Sequence, residues 1–211
     1  MKKILAMLTI FAVVGIAQAK EKRMENKAMN NETKKEEIAT FAGGCFWCMQ
    51  TPFDKVKGVI STVVGYTGGS KKNPTYEEVC AGGTGHAESI EIKFDPSQVS
   101  YEQILDVFWR QIDPTTPDAQ FCDHGNQYRS AIFYHDAMQK KQAMESKDRL
   151  EKSGKYGGKK LVTEITAASE FYPAEDYHQM YYKKNPIRYK FYRFNCGRDQ
   201  YLEKIWDKSD H

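Results

Sequence analysis

The sequence is short of several features that announce a function class. Beyond residue 19 it has no long uninterrupted apolar run, which excludes a protein that crosses a membrane several times. It has no excess of one charge: 31 Lys and Arg stand against 28 Asp and Glu, and Lys2, Lys3 and Lys20 account for the formal +3. The remainder is close to neutral, which argues against nucleic-acid binding driven by bulk charge. It has no internal repeat, which excludes a solenoid or propeller. Cysteines number only five in 211 residues. A chain of this length buries a core without disulfide staples, so those cysteines need another reason to be present. With 40% apolar and 28% charged residues, wholesale disorder and a collagen-like chain are also excluded. Length alone allows one or two domains at ~150 residues each.

The N-terminus reads as an address. Lys2-Lys3, an apolar run from Ile4 to Ala17, and Ala17-Gln18-Ala19 match the three regions of a secretory signal peptide cleaved after Ala19. A retained anchor is the alternative, but the run falls short of the ~20 residues that span a bilayer. No stable membrane insertion is expected after cleavage, and with no cysteine near the cleavage site a lipid anchor has no support. The mature chain is expected in an exported, oxidising compartment, the periplasm being the natural one. Residues 20–37 alternate Lys and Glu with almost nothing apolar, a composition that cannot bury enough surface to order itself, so they read as a flexible linker.

From Ile38 to residue 211 the pattern is that of a single domain. Periodicity predicts strand 38–42, helix 46–56, strand 59–66, strand 87–94, helix 101–112 and strand 130–134. That β-α-β-β-α-β order is the plait of ferredoxin-like folds, and the expected class is α+β, a two-layer α/β sandwich. Ser100 and Gln103 form a capping box ahead of the stripe Tyr101, Ile104, Leu105, Phe108 and Ile112, and Asp113-Pro114 ends that helix. A further helix follows Asp136 to about Ser153-Gly154, then a strand at 161–166 and a long irregular C-terminal segment.

Gly43-Gly44-Cys45-Phe46-Trp47-Cys48 falls where the first strand turns into the first helix. Free N–H groups and the dipole at a helix start favour a thiolate, so Cys45 is expected to have a lowered pKa. Cys80, at the end of an amphipathic turn begun by Thr75-Tyr76-Glu77-Glu78, reads as a structural cysteine. The Cys45-x-x-Cys48 spacing admits a thioredoxin-like dithiol, or a zinc site completed by Cys122 and His124. An oxidising compartment disfavours the zinc reading.

The run Gly85-His86-Ala87-Glu88-Ser89-Ile90-Glu91-Ile92-Lys93-Phe94 adds a second feature. Strand alternation puts Glu88 on the face of Ile90, Ile92 and Phe94, the face bound for the core. A carboxyl there finds a cation or keeps its proton to higher pH, because desolvation disfavours its charged form. A neutral acid beside a reactive sulfur is a catalytic arrangement.

Gly44-Cys45-Phe46-Trp47, Gly85-His86-Ala87-Glu88, Asp123-His124-Gly125-Asn126-Gln127-Tyr128-Arg129-Ser130 and Asn195-Cys196-Gly197-Arg198 together resemble the motifs of the A-type peptide methionine sulfoxide reductases. The resemblance runs from about Phe41 to Trp206. It implies reduction of the S epimer of methionine sulfoxide, free or in peptides and proteins, with no metal or organic cofactor, and an external dithiol such as a thioredoxin-like protein as electron donor. By the same resemblance Cys45 is the nucleophile and Glu88 the acid that protonates the sulfoxide oxygen. Tyr76 and Tyr128 polarise that oxygen, Asp123 helps organise the pocket, and Phe46 and Trp47 receive the substrate methyl group. Cys196 matches the resolving cysteine, with Cys48 as the alternative. A sulfenic acid on Cys45 would then condense with a second thiol, and the external dithiol would reduce the resulting disulfide.

One cluster and two single residues remain. The seven tyrosines between Phe171 and Tyr201, mixed with Lys183, Lys184, Arg188, Lys190, Arg193 and Arg198, suggest single-stranded nucleic acid, but acidic residues dilute them and no nucleic-acid partner is expected. His178 reads as a supporting hydrogen-bond partner near the pocket. Cys122 has no role assignable from the residues.

Overall fold

The computed structural model describes residues 36–206. The leader expected at 1–19, and the linker as far as residue 35, lie outside the described residues. The chain runs β1 (Glu37–Gly43), α1 (Phe46–Phe53), β2 (Val59–Thr67), α2 (Tyr76–Ala81), β3 (Ala87–Phe94) and α3 (Tyr101–Trp109). A short ribbon of β4 (Ala119–Gln120) and β5 (Asp123–His124) and a 3-10 turn at Asn126–Tyr128 lead into β6 (Ser130–Tyr134) and α4 (Ala137–Lys152). β7 (Glu164–Ala167), β8 (Tyr172–Pro173), α5 (Tyr181–Lys184), α6 (Pro186–Asn195) and α7 (Arg198–Ile205) follow.

Six strands form one sheet in the order β7-β6-β1-β3-β2-β8. β6 and β7 are parallel and every other neighbour is antiparallel, so this is a mixed α/β fold around a mixed sheet. Period-two alternation sets the register. Ile90 lies opposite Phe41 on one side and Val64 on the other, and Glu88 lies opposite Tyr66. On the face carrying Ile90, Ile92 and Phe94, Phe41 stacks on Phe108 at 4.7 Å and on Phe53 at 5.8 Å, joining the sheet to α1 and α3. Each such side chain contributes about 1.5–3 kcal/mol on burial. The opposite face at the same end is covered around Ala42, Ala87, Ala131 and Phe133, which is why Ser89 is buried too.

Helix ends follow local chemistry. The Ser100–Gln103 capping box is present, and Thr75–Glu78 forms a second one that starts α2, expected only as a turn. α1 stops at Phe53, before the expected Val56. Pro52 has no N–H for the Cys48 carbonyl, which instead accepts from Arg193 Nη1 at 3.1 Å. α3 ends at Trp109, and Ile112 packs into the core from beyond the helix.

The C-terminal segment is not the irregular stretch expected. From Tyr181 it is mostly helical, with Pro186 in the first turn of α6 and Gly197 at φ +75° separating α6 from α7. The inward stripe of α6 is Tyr189 and Tyr192, amphipathic at helical spacing but built from tyrosines among cations rather than aliphatics.

Candidate active site

The backbone turn at Gly43-Gly44 aims the site. Gly44 sits at φ +79°, and a Cβ there would lie 2.5 Å from the Gln120 Cβ and 2.9 Å from Arg198 Nη2, so both conformation and space demand glycine. The fully buried Arg198 clamps the turn by donating from Nη2 to the Gly43 carbonyl at 3.0 Å and from Nη1 to the Gln111 carbonyl at 2.6 Å. Cys45 is the N-cap of α1, as its place after the strand predicted, but only 5% of it is exposed.

Glu88 projects from β3 to that helix start, and its Oε2 accepts the Phe46 N–H at 3.0 Å. It is 2% exposed. Burial pushes its pKa up to about 8, helped by Asp123 and Cys48, although the Phe46 N–H opposes the rise. This carboxyl therefore keeps its proton at neutral pH, as strand alternation implied.

The thiols differ from expectation. Cys45 and Cys48 hydrogen-bond to each other, so the charge on one bears on the other. Burial pushes Cys45 well above the usual thiol range, with Cys48, Glu88 and Asp123 adding to the rise. Cys48 is lowered to about 7 by the Cys45 thiol, with help from the Arg198 and Arg193 guanidiniums against desolvation. The lowered pKa expected for Cys45 falls instead on its neighbour: a helix start contributes ~0.3–1 kcal/mol, less than full burial of a thiolate costs.

Around this pair the other site residues converge. Burial raises Tyr76 and Tyr128 above the ordinary tyrosine value and Glu88 raises both further, so both hydroxyls stay protonated donors. Glu175 positions the first by accepting the Tyr76 N–H at 3.0 Å, and it also accepts the Tyr66 hydroxyl at 2.9 Å. The Tyr76 hydroxyl reaches Cys80, giving that structural cysteine a place beside the site. Arg129 holds the turn before Tyr128 through the Asn126 carbonyl at 3.0 Å and the Gly85 carbonyl at 3.1 Å.

Phe46 and Trp47 form the aromatic side. Trp47 Nε1 donates to His178 Nδ1 at 3.0 Å, and the His178 ring lies 4.4 Å from that of Tyr76. His178 is thus the supporting partner its position suggested, kept neutral by burial. The Tyr181 ring stacks flush on Trp47 at 3.8 Å and 6°.

Asp123 lies at the border of the site, its Oδ2 accepting the Tyr192 hydroxyl at 2.5 Å. Burial raises its pKa. On its outer side Cys122 and Cys196 are joined by a disulfide, so Cys196 is bonded neither to Cys45 nor to Cys48. The zinc alternative loses Cys122 to this bond, and the exposed His124 is left without that partner ligand. Residue reasoning missed the pairing of Cys122, the clamp of Arg198 and the contacts of Tyr181 and Tyr192. The sole signal for Cys122 was its place next to Asp123.

A two-layered set of donors, with a protonated carboxyl and paired thiols on one side and aromatic rings on the other, defines a thiol-based oxidoreductase site. The family model described as peptide methionine sulfoxide reductase matches residues 37–210. The peptide methionine sulfoxide reductase MsrA of Bacillus licheniformis is 51% identical over 175 residues, covering 83% of this chain and 96% of the relative. Among solved structures, Mxr1 from Saccharomyces cerevisiae in reduced form has a TM-score of 0.69 at 32% identity, over 74% of this chain and 89% of that one. The structure of Mxr1 in complex with Trx2 has a TM-score of 0.50 at 25% identity, over 71% and 87%. The chain belongs to the peptide methionine sulfoxide reductase family, A type, and is an enzyme of the oxidoreductase class.

Proposed function

We propose that this enzyme reduces the S epimer of methionine sulfoxide, free or in proteins, with Cys45 as nucleophile and Glu88 as acid. The observation that carries the assignment is Glu88 itself: a buried carboxyl protonated at neutral pH, tied at 3.0 Å to the backbone of the residue after Cys45. The substrate oxygen takes hydrogen bonds from Glu88, Tyr76 and Tyr128, and its methyl group lies against Phe46 and Trp47. The Cys45 sulfur attacks the sulfoxide sulfur while its proton passes to Cys48, the more acidic of the two thiols. Glu88 protonates the sulfoxide oxygen, which passes to the Cys45 sulfur as the bond between the two sulfurs breaks. Methionine leaves, and a sulfenic acid remains on Cys45.

A second thiol, Cys196, condenses with that sulfenic acid, and an external dithiol restores the enzyme. The complex of the yeast relative with Trx2 supports a thioredoxin-like donor. The electrons come from thiols throughout, so the reaction as written draws on no bound cofactor. The β6-β1-β3-β2 run with all neighbours antiparallel supports a ferredoxin-like reading of the sheet's centre. Export to the periplasm and repair of oxidised proteins there rest on residues 1–19, and N-terminal sequencing of protein recovered from the periplasm tests that part: Lys20 at the N-terminus supports it, and an intact Met1 overturns it.

Separated sulfoxide diastereomers assayed with dithiothreitol test the reaction. The native enzyme is expected to consume the S form alone, and folded Cys45→Ser neither form. Turnover by Cys45→Ser would end the assignment.

A further inference from the structure

We propose that the outward face of α6 is a peripheral membrane-binding surface that seats the enzyme on anionic lipid. Among the described residues the three most exposed large apolar side chains all lie there: Ile187 at 85%, Phe191 at 71% and Phe194 at 69%. They follow one another at i, i+4 and i+7, so they form one stripe along Pro186–Asn195, on the side away from Tyr189 and Tyr192. Burial follows the same division: Tyr189 is buried and packs with the catalytic thiols, while the stripe faces solvent. Three such side chains add nothing to the fold from water. Left exposed side by side, they mark an interaction surface.

The charges beside the stripe say what covers it. From Gln179 to Arg198 the chain has six cations and no acidic residue. Arg198 is spent on the Gly43-Gly44 turn and Arg193 on Asp199, which leaves Lys183, Lys184, Arg188 and Lys190 exposed around the stripe. A basic helix with one aromatic and aliphatic face is the pattern of a helix that lies in the headgroup layer. Its cations are drawn to anionic headgroups while the apolar face enters the acyl boundary. A second copy does not complement this face, because it would set cations against cations. Residues 1–35 do not either, with eight cations against three acids. Side chains this exposed stand out as a ridge, which a soft lipid surface takes up without a matching groove. The enzyme then lies on the bilayer and does not span it, and among the described residues no helix is long and apolar enough to cross. The catalytic thiols sit behind Tyr189, about one helix thickness of ~10 Å from the lipid. This surface is independent of the reaction proposed for Cys45.

Lysine acetylation, read by mass spectrometry on the full chain with and without vesicles, tests the surface. The apolar run at 4–17 can hold any variant on lipid, so the readout is local to Lys183, Lys184 and Lys190. Vesicles of phosphatidylcholine mixed with phosphatidylglycerol are expected to slow their acetylation about tenfold or more at low salt, and phosphatidylcholine alone should not. High salt should weaken the protection. Phe191→Ser/Phe194→Ser should lose most of it, while reducing free methionine sulfoxide with dithiothreitol at the native rate. If that variant fails to fold, Arg188→Gln/Lys190→Gln takes its place, read at Lys183 and Lys184. Two fewer cations should weaken attachment roughly thirtyfold. Protection that is absent, equal on neutral vesicles, or unchanged in a folded variant overturns the proposal. Protection by soluble polyglutamate and not by the vesicles would overturn it too, and would assign the face to an acidic protein.

Discussion

Replacing Glu88 with Gln separates the chemistry of the site from its stability. In the native protein Glu88 titrates near 8, against an ordinary value of 4.5 in the unfolded chain. Between those values the folded state binds more protons than the unfolded state, so stability falls as pH rises through the window from about 4.5 to about 8. At 1.36 kcal/mol per pH unit, full ionisation of this buried carboxyl costs the fold about 5 kcal/mol. Glu88→Gln keeps the shape and an oxygen for the Phe46 N–H but has no proton to lose. Urea denaturation of both proteins at pH 5, 7 and 9, with the disulfide intact, is expected to show near-equal stability at pH 5. A growing advantage for Glu88→Gln should follow, reaching about 5 kcal/mol at pH 9. The opposite contribution of Cys48, whose lowered pKa stabilises the fold at high pH, is present in both proteins and leaves the difference unchanged to first order. The same variant should lose about 10²–10⁴-fold in sulfoxide reduction, the usual range for a positioned acid. A difference in stability that stays flat from pH 5 to pH 9 would refute the account of Glu88 as a buried neutral acid.

Two substitutions probe the turn that carries Cys45. Gly44→Ala forces a Cβ into φ +79° and to within 2.5 Å of Gln120, so thermal or urea denaturation should show a loss of about 3 kcal/mol or more. A loss under 1 kcal/mol would mean that the turn yields easily. Arg198→Met leaves the carbonyls of Gly43 and Gln111 without their charged donor, each worth about 1–3 kcal/mol, and the same measurement should show about 3–5 kcal/mol. Unchanged stability would show that water or another donor replaces the guanidinium.

How far the sequence revealed this molecule depended on the range of the interaction. Glu88 was legible because alternation along one strand decides its face, and burial of that face then decides its protonation. The Gly44-Cys45 turn was legible for the same local reason. The thiol charge was not, since it depends on which distant elements cover Cys45: Tyr181 and Tyr192 come from the far end of the chain, and Arg198 and Arg193 favour charge on Cys48. The C-terminal helices hid behind tyrosines and cations, which blur an apolar period. The Cys122–Cys196 bond spans 74 residues, and five cysteines do not reveal their own connectivity.

The stack of Tyr181 on Trp47 bears on which clients the enzyme can serve. Under the proposed reaction, with one face of the indole capped and Cys45 almost out of reach of solvent, an oxidised methionine in a protein reaches that sulfur only on a stretch of chain supple enough to enter the recess. A sulfoxide still wedged in a partner's packed interior has to wait for local opening of that partner. Selection among damaged proteins then follows their looseness more than their surface chemistry.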